Sequence, residues 1–281
     1  MKLVLNYGDL IFKIFMSNNI HFITYGDSKK YSISKKHLIG LAKKSGFFET
    51  CKSFSDKDLD YEFVSKYRDI LNEERGGGYY LWKPRIIFNT LKNLKKHDLL
   101  VYTDAGSSFN YYAKKRFFEY IEMLQDSEYG NLRIENPRQF VEKYWTTKEL
   151  FSYFNLSNNS KEGNSPQLLG GHLIFKNNKH TIELLREFFK VVDFDPKLIT
   201  DFYKDGQIEN FKQNRHDQSI LSLLSKTVGG VIVENETFFE KNSSNQKNYP
   251  FLSVRNYGHG KKDKLRYYLN YRNYRDLPAY F

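Results

Sequence analysis

The five residues Leu99 to Thr103, reading LLVYT, leave the chain little conformational choice. They form an apolar run of strand length with no polar face, the pattern of a strand covered on both sides. The run stops at Asp104-Ala105-Gly106, and a long helix is expected over about Tyr112 to Gln125. Upstream, His21 to Tyr25 (HFITY) is β-prone and Gly26-Asp27-Ser28 follows as a turn. Ser34 can cap a helix running to about Lys44, with Leu38 and Leu41 on one face and Gly46 as its stop. A short strand is expected at Phe48 to Cys51. A second helix, from Ser55 and Asp56 to about Glu74, carries its stripe on Leu59, Phe63, Tyr67, Ile70 and Leu71. Arg75 to Tyr80 (RGGGYY) reads as a flexible turn. Pro84 suits the first turn of a helix bearing Ile86, Ile87, Leu91 and Leu94. Strands alternating with helices in this way predict an α/β fold with a mixed, mostly parallel sheet flanked by helices.

In such sheets ligands lie at the carboxyl ends of the strands. Tyr25-Gly26-Asp27 and Asp104-Ala105-Gly106 both fall there, about 80 residues apart. The second half is less regular. A strand is expected at Leu132 to Glu135, helices at Arg138 to Lys143 and Thr147 to Phe154, and a polar loop from Asn155 to Ser165. Leu173 to Phe175 reads as a strand after a Gly170-Gly171 turn. Helices follow at Thr181 to Val191 and His216 to Ser225, then a strand at Val231 to Glu234. There is no internal repeat, so residues 1–250 read as one domain and 251–281 as a basic segment closing it.

Composition bears on partners. The 281 residues include 44 Lys plus Arg against 33 Asp plus Glu, a net charge of +11. The last 31 residues hold seven basic residues, two acidic ones and six tyrosines. A basic, aromatic tail invites a nucleic-acid reading. Neither a Cys/His finger nor a pair of RNP-type aromatic strands supports it. Cys51 is the single cysteine, which excludes an internal disulfide framework and a Cys-based zinc cluster. The N-terminus, interrupted by Asp9 and Lys13, lacks the run of a membrane span and the cleavage site of a signal peptide. A cytoplasmic protein is expected, and a peripheral membrane contact through Leu10 to Phe15 stays open.

Asp104 is the residue with the clearest chemical promise. A carboxylate between a buried strand and a helix can reach a divalent metal bridging phosphates. It can equally cap a helix or form a turn.

The segments ITYGDSKKY, GGGYYLWKP and DLLVYTDAG, with GGHLIFKNN and RHDQSILSLL beyond them, resemble glycosyltransferases of the GT-A fold. These are nucleotide-diphospho-sugar transferases of bacterial and large-DNA-virus type, distantly like retaining enzymes with a strand-end Asp-x-Asp. The resemblance covers about residues 20 to 235. It implies a Rossmann-like single domain that moves a hexose from a nucleotide-diphosphate sugar, expected to be UDP-linked, to a hydroxyl of a glycan or glycoconjugate acceptor, with retention. No nucleic-acid partner is then expected.

Position by position, the resemblance implies that Thr24, Tyr25, Gly26 and Asp27 line the nucleotide pocket and that Lys83 lies near the donor diphosphate. Tyr102 and Asp104 match the metal strand, Asp104 being the first carboxylate of the Asp-x-Asp. Gly106 stands where the second acid would be. The implied cofactor is Mn²⁺ or Mg²⁺, held by Asp104 and the late His259, with Lys261 meeting the departing diphosphate. Gly171 leaves room for a sugar ring. Asp217 holds donor hydroxyls near the anomeric carbon, and Gln218 supports the same ring. A nucleotidyltransferase, an inactive sugar-nucleotide-binding relative and a nucleic-acid binder are the alternatives.

Overall fold

The computed structural model describes residues 18–26, 31–238 and 247–253. In chain order the strands and main helices are β1 (Ile20–Tyr25), α1 (Ser32–Ser45), β2 (Thr50–Phe54), α2 (Tyr61–Lys66), α3 (Trp82–Lys92), β3 (Leu99–Thr103), β4 (Ser108–Phe109), α4 (Lys114–Gln125), β5 (Asn131–Glu135), α5 (Lys148–Tyr153), β6 (Leu168–Lys176), α6 (Lys179–Phe194), α7 (Asp217–Thr227), β7 (Val231–Val233) and β8 (Phe251–Leu252). Six strands form one sheet in the order β2-β1-β3-β6-β5-β7, and β4 pairs with β8 in a small second ladder. The pairs β1/β2, β1/β3 and β5/β7 are parallel. Strand β6 runs antiparallel to both its neighbours, β3 and β5. The sheet is thus mixed and mostly parallel, flanked by helices in a single domain.

Register assigns the two faces. Ile23, Leu100, Tyr102, Leu173 and Phe175 join Leu91, Leu184, Phe188 and Leu221 in one core, so α3, α6 and α7 cover that face. Phe22, Val101 and Ile174 meet Leu38, Leu41, Phe117 and Ile121 in the other, under α1 and α4. Every residue of β3 is buried. Burying side chains of the size of Leu99, Leu100 and Val101 stabilises by about 1.5–3 kcal/mol each.

Several boundaries differ from expectation for physical reasons. Helix α1 begins at Ser32 behind Tyr31, and the Ser34 hydroxyl donates to the Tyr31 carbonyl instead of capping the start. The single helix expected over 55–74 is broken. Asp60 caps α2 by accepting from Phe63 N, and its carboxylate also takes Arg85 of α3 at 2.7 and 2.8 Å. The segment 138–143 is not helical except for a short 3-10 turn at Glu142–Tyr144. There the Glu142 side chain enters the core, where Lys226, Gln167, Thr146 and Ser222 satisfy it.

Gly76 to Tyr80 is not a loose turn. All five residues have positive φ, from 52° to 89°. This is a turn of left-handed backbone, costing roughly 1–2 kcal/mol at each of the two tyrosines. At Gly78 even a Cβ is excluded, because it would lie 2.6 Å from the Leu71 Cα.

Candidate functional site at the strand ends

From β1 the chain turns to β2 on one side and later returns to β3 on the other. The sheet therefore has a topological switch point between β1 and β3, the place where a crevice opens beyond the strand ends. Tyr25-Gly26 and Asp104 lie at that edge. A Cβ on Gly26 would stand 2.7 Å from Tyr31 Cβ and 3.5 Å from Ala105 Cβ, so the two loops meet through this glycine. The Tyr25 ring stacks on Trp82 with centroids 3.7 Å apart. Thr24 is fully buried in the sheet. Asp27, His259 and Lys261 lie outside the described residues, as does the basic tail beyond 253.

Asp104 presents one oxygen and anchors the other. Tyr102 Oη donates to Oδ1 at 2.6 Å, and Lys83 Nζ lies 3.3 Å from the same atom. Burial, and then Asp104 itself, push the Tyr102 phenol well above its ordinary pKa, so it remains a donor. The other oxygen, Oδ2, faces Gly171. A Cβ there would lie 3.0 Å from it. The Asp104 side chain is 41% exposed, whereas that of Asp217 is 3% exposed.

Lys83 is sited differently from the expectation. It comes from the first turn of α3, is 2% exposed, and pairs with Asp217 Oδ2 at 2.9 Å as well as with Asp104. It also donates to the Gly170 carbonyl at 2.9 Å. The rings of Tyr80, Tyr102 and Trp82 stand 5.2, 5.4 and 5.9 Å from its Nζ. Burial alone would lower its pKa, but Asp104 and Asp217 outweigh burial and hold the ammonium above its ordinary value. This charge is already shared between two carboxylates, so Lys83 orders the acids; it is not an open cation for a phosphate.

Asp217 opens α7 and points inward. Burial pushes its carboxyl up to about 6, against the pull of Lys83. His216, just before it, has φ 58° and packs its ring 4.8 Å from Tyr79 and 6.2 Å from Tyr80. Its Nδ1 lies 2.9 Å from the Ile199 carbonyl, which makes Nδ1 the protonated nitrogen. Burial lowers its pKa to about 4, Asp201 pulling the other way. The backbone strain of this region is therefore gathered around Asp217.

The glycine pair is also placed differently. Gly170 and Gly171 are not a turn before an edge strand; they lie inside β6, between β3 and β5. A Cβ on Gly170 would come within 3.0 Å of Gln218 Cβ. The Gln218 amide accepts from Gly170 N at 2.9 Å and donates to Gln167 Oε1 at 2.6 Å. Both polar ends of Gln218 are thus engaged by Gly170 and Gln167. Gly106 has no side chain to offer an ion, and Ser107 N donates to the Asp104 carbonyl to close the turn there.

The donor set can be tested against a divalent ion. Such an ion needs several converging oxygens or nitrogens. Among the described residues no group of three His, Cys, Asp or Glu side chains converges to hold one. Asp104 Oδ1 is taken by Tyr102 and Lys83, and Asp217 is taken by Lys83. Among the described residues this leaves one outward oxygen, Asp104 Oδ2, for an ion.

Sequence reading quoted Tyr80 and Trp82 within GGGYYLWKP but gave them no role, and it missed the Glu142–Lys226 pair. It also missed Arg133, which is fully buried and donates to the Leu221 and Leu169 carbonyls and to Ser225. Only the GGGYYLW run carried a signal for any of these, since three glycines before two tyrosines mark unusual backbone.

The architecture defines an α/β protein with acidic residues gathered at the strand ends beside a topological switch point. No family model and no curated protein matches the chain. Two solved structures are similar in overall layout. One is a glycosyltransferase involved in the glycosylation of the major capsid of PBCV-1, at 10% identity over 88% of this chain and 98% of that one, TM-score 0.49. The other is mouse xyloside xylosyltransferase 1 in its apo form, at 9% identity over 78% and 86%, TM-score 0.42. Likeness at this level assigns no role to any residue. No described helix is long and apolar enough to cross a membrane.

Proposed function

We propose that this chain is a glycosyltransferase that moves a hexose from a nucleotide-diphosphate sugar to a hydroxyl of a glycan or glycoconjugate. The observation that supports the reading best is the pairing, beside the switch point, of the carboxylate at the end of β3 with a glycine of its other neighbour, β6. Asp104 Oδ2 faces Gly171, with no side chain between them, at the edge where α/β sheets bind nucleotides. The resemblance of the segments around Lys83, Asp104 and Asp217 to GT-A transferases supports the same reading.

In this proposal the donor lies across the ends of β1 and β3. The Tyr25–Trp82 stack provides an apolar wall, and the absence of a side chain at Gly171 lets the Asp104 carboxylate lie close against β6. Tyr102 and Lys83 fix the Asp104 carboxylate before the donor arrives, so no reorganisation is needed during transfer. Asp217 is buried and ion-paired. It sets the position and charge of Lys83 and is poorly placed to take a proton from an acceptor in solvent. That supports retention over inversion, since inversion needs an accessible base.

Purified protein incubated with a panel of sugar nucleotides should release nucleoside diphosphate with sugar turnover. The anomeric configuration of the product, read by proton NMR, should match that of the donor. Release of pyrophosphate would identify a nucleotidyltransferase. Failure to bind or turn over any member of the panel would sink the proposal.

A further inference from the structure

We infer that the Lys83 ammonium occupies, in position and in charge, the place a bridging divalent ion would take between Asp104 and Asp217. The cluster thus carries its own cation and takes no resident metal. Lys83 Nζ lies 3.3 Å from Asp104 Oδ1 and 2.9 Å from Asp217 Oδ2, so one cation bridges carboxylates from two separate elements. A backbone carbonyl, that of Gly170, completes its shell at 2.9 Å. Three aromatic rings close the remaining directions at 5.2–5.9 Å.

Charge counting explains the consequence. Two carboxylates and one ammonium sum to −1. A divalent ion added between these acids would compete with the ammonium for Asp104 Oδ1 and Asp217 Oδ2 and would meet its like charge at close range. With the ammonium removed, the carboxylates sum to −2 and a divalent ion restores neutrality. The oxygen set left behind is two carboxylates and one carbonyl, hard ligands suited to Mn²⁺ or Mg²⁺. Lys83 is therefore a positioning residue whose role is that of an internal counter-ion.

The inference concerns the charge of the cluster and is tested without a sugar nucleotide, so its outcome is independent of the transferase reading. Mn²⁺ binding to the full chain is followed by electron paramagnetic resonance of free Mn²⁺ in wild type, Asp217→Asn, Lys83→Met and Lys83→Met/Asp217→Asn. Wild type and Asp217→Asn should bind Mn²⁺ alike, any shared binding arising elsewhere. Lys83→Met should bind at least about ten-fold more tightly than wild type, and the double variant should lose that gain. Mn²⁺ binding in wild type that disappears in Asp217→Asn would overturn the inference. So would a folded Lys83→Met with no gain. Should Lys83→Met fold only when Mn²⁺ is added, that rescue supports the inference. Should it not fold at all, the comparison of wild type with Asp217→Asn decides.

Discussion

Replacing Gly171 by alanine is expected to damage the site while leaving the fold intact. The new Cβ would lie 3.0 Å from Asp104 Oδ2 and 3.5 Å from its Cγ. Non-bonded carbon and oxygen sit comfortably at roughly 3.5 Å, so the carboxylate must retreat by about 0.5 Å. It cannot swing away freely, because Tyr102 holds Oδ1 at 2.6 Å and Lys83 flanks it at 3.3 Å. A displacement of 1 Å near reacting groups costs on the order of 100-fold in rate, so half of it costs about ten-fold. That is about 1.4 kcal/mol of transition-state stabilisation. Stability should barely change, since removing glycine freedom from the unfolded chain offsets about 0.4–1 kcal/mol of the crowding. The assay is kcat/KM for nucleoside diphosphate release beside the thermal midpoint of the same sample. Wild-type kcat/KM in folded Gly171→Ala would refute the close approach of Asp104 to β6 as a working feature.

Three further outcomes are expected. Gly40, in α1, has open space around its would-be Cβ, so Gly40→Ala should raise stability by about 1 kcal/mol in urea unfolding with unchanged activity; a fall would contradict the helix geometry. Tyr102→Phe removes the anchor on Asp104 Oδ1 and should cost about 1 kcal/mol in stability and roughly five- to ten-fold in kcat/KM, and unchanged kinetics would remove Tyr102 from the site. Stability should also fall in acid. Burial lowers His172 and His216 from 6.5 to about 4, so between those pH values the folded chain holds fewer protons than the unfolded chain, at a cost of up to about 3 kcal/mol for each. Asp217, raised from 3.8 to about 6, runs the opposite way and offsets up to about 3 kcal/mol over the same window. The histidines win, and His172→Asn should shrink the drop in urea midpoint between pH 7 and pH 5. An unchanged drop would show that His172 does not titrate this way.

Local pattern was readable where a residue answers mainly to its neighbours in sequence. LLVYT is a strand at the expected bounds because it is β-prone and mainly apolar and Asp104 ends it. Helix α7 starts at Asp217, one residue from the expected position, since an acid at a helix start is locally favoured. Reading failed where a distant partner decides. The direction of β6 leaves no trace in its own residues. Gly170 and Gly171 look like a turn in sequence, and only Gln218 and Asp104, packed against them from other elements, make glycine necessary inside a strand. The helix expected over 55–74 is interrupted where Asp60 serves Arg85, 25 residues on. Within the site, Asp104 and Asp217 were visible as acids at element ends. That Lys83 joins them needs the third dimension, because a lysine on a helix ordinarily faces water.

The left-handed turn at Gly76–Tyr80 has a stereochemical corollary. Its backbone is close to the mirror image of an ordinary helical turn, so chirality itself, apart from side-chain size, decides what fits there. A D-residue is at ease where an L-residue is strained. In a chain assembled by semisynthesis, D-alanine at Gly77 would meet only a conformation it prefers, whereas L-alanine would add to the strain already carried by Tyr79 and Tyr80. The handedness of five residues thus marks the approach to α3 as a stretch that ordinary mutation explores poorly. The Tyr80 ring that stands 5.2 Å from the Lys83 ammonium is carried on that small inversion.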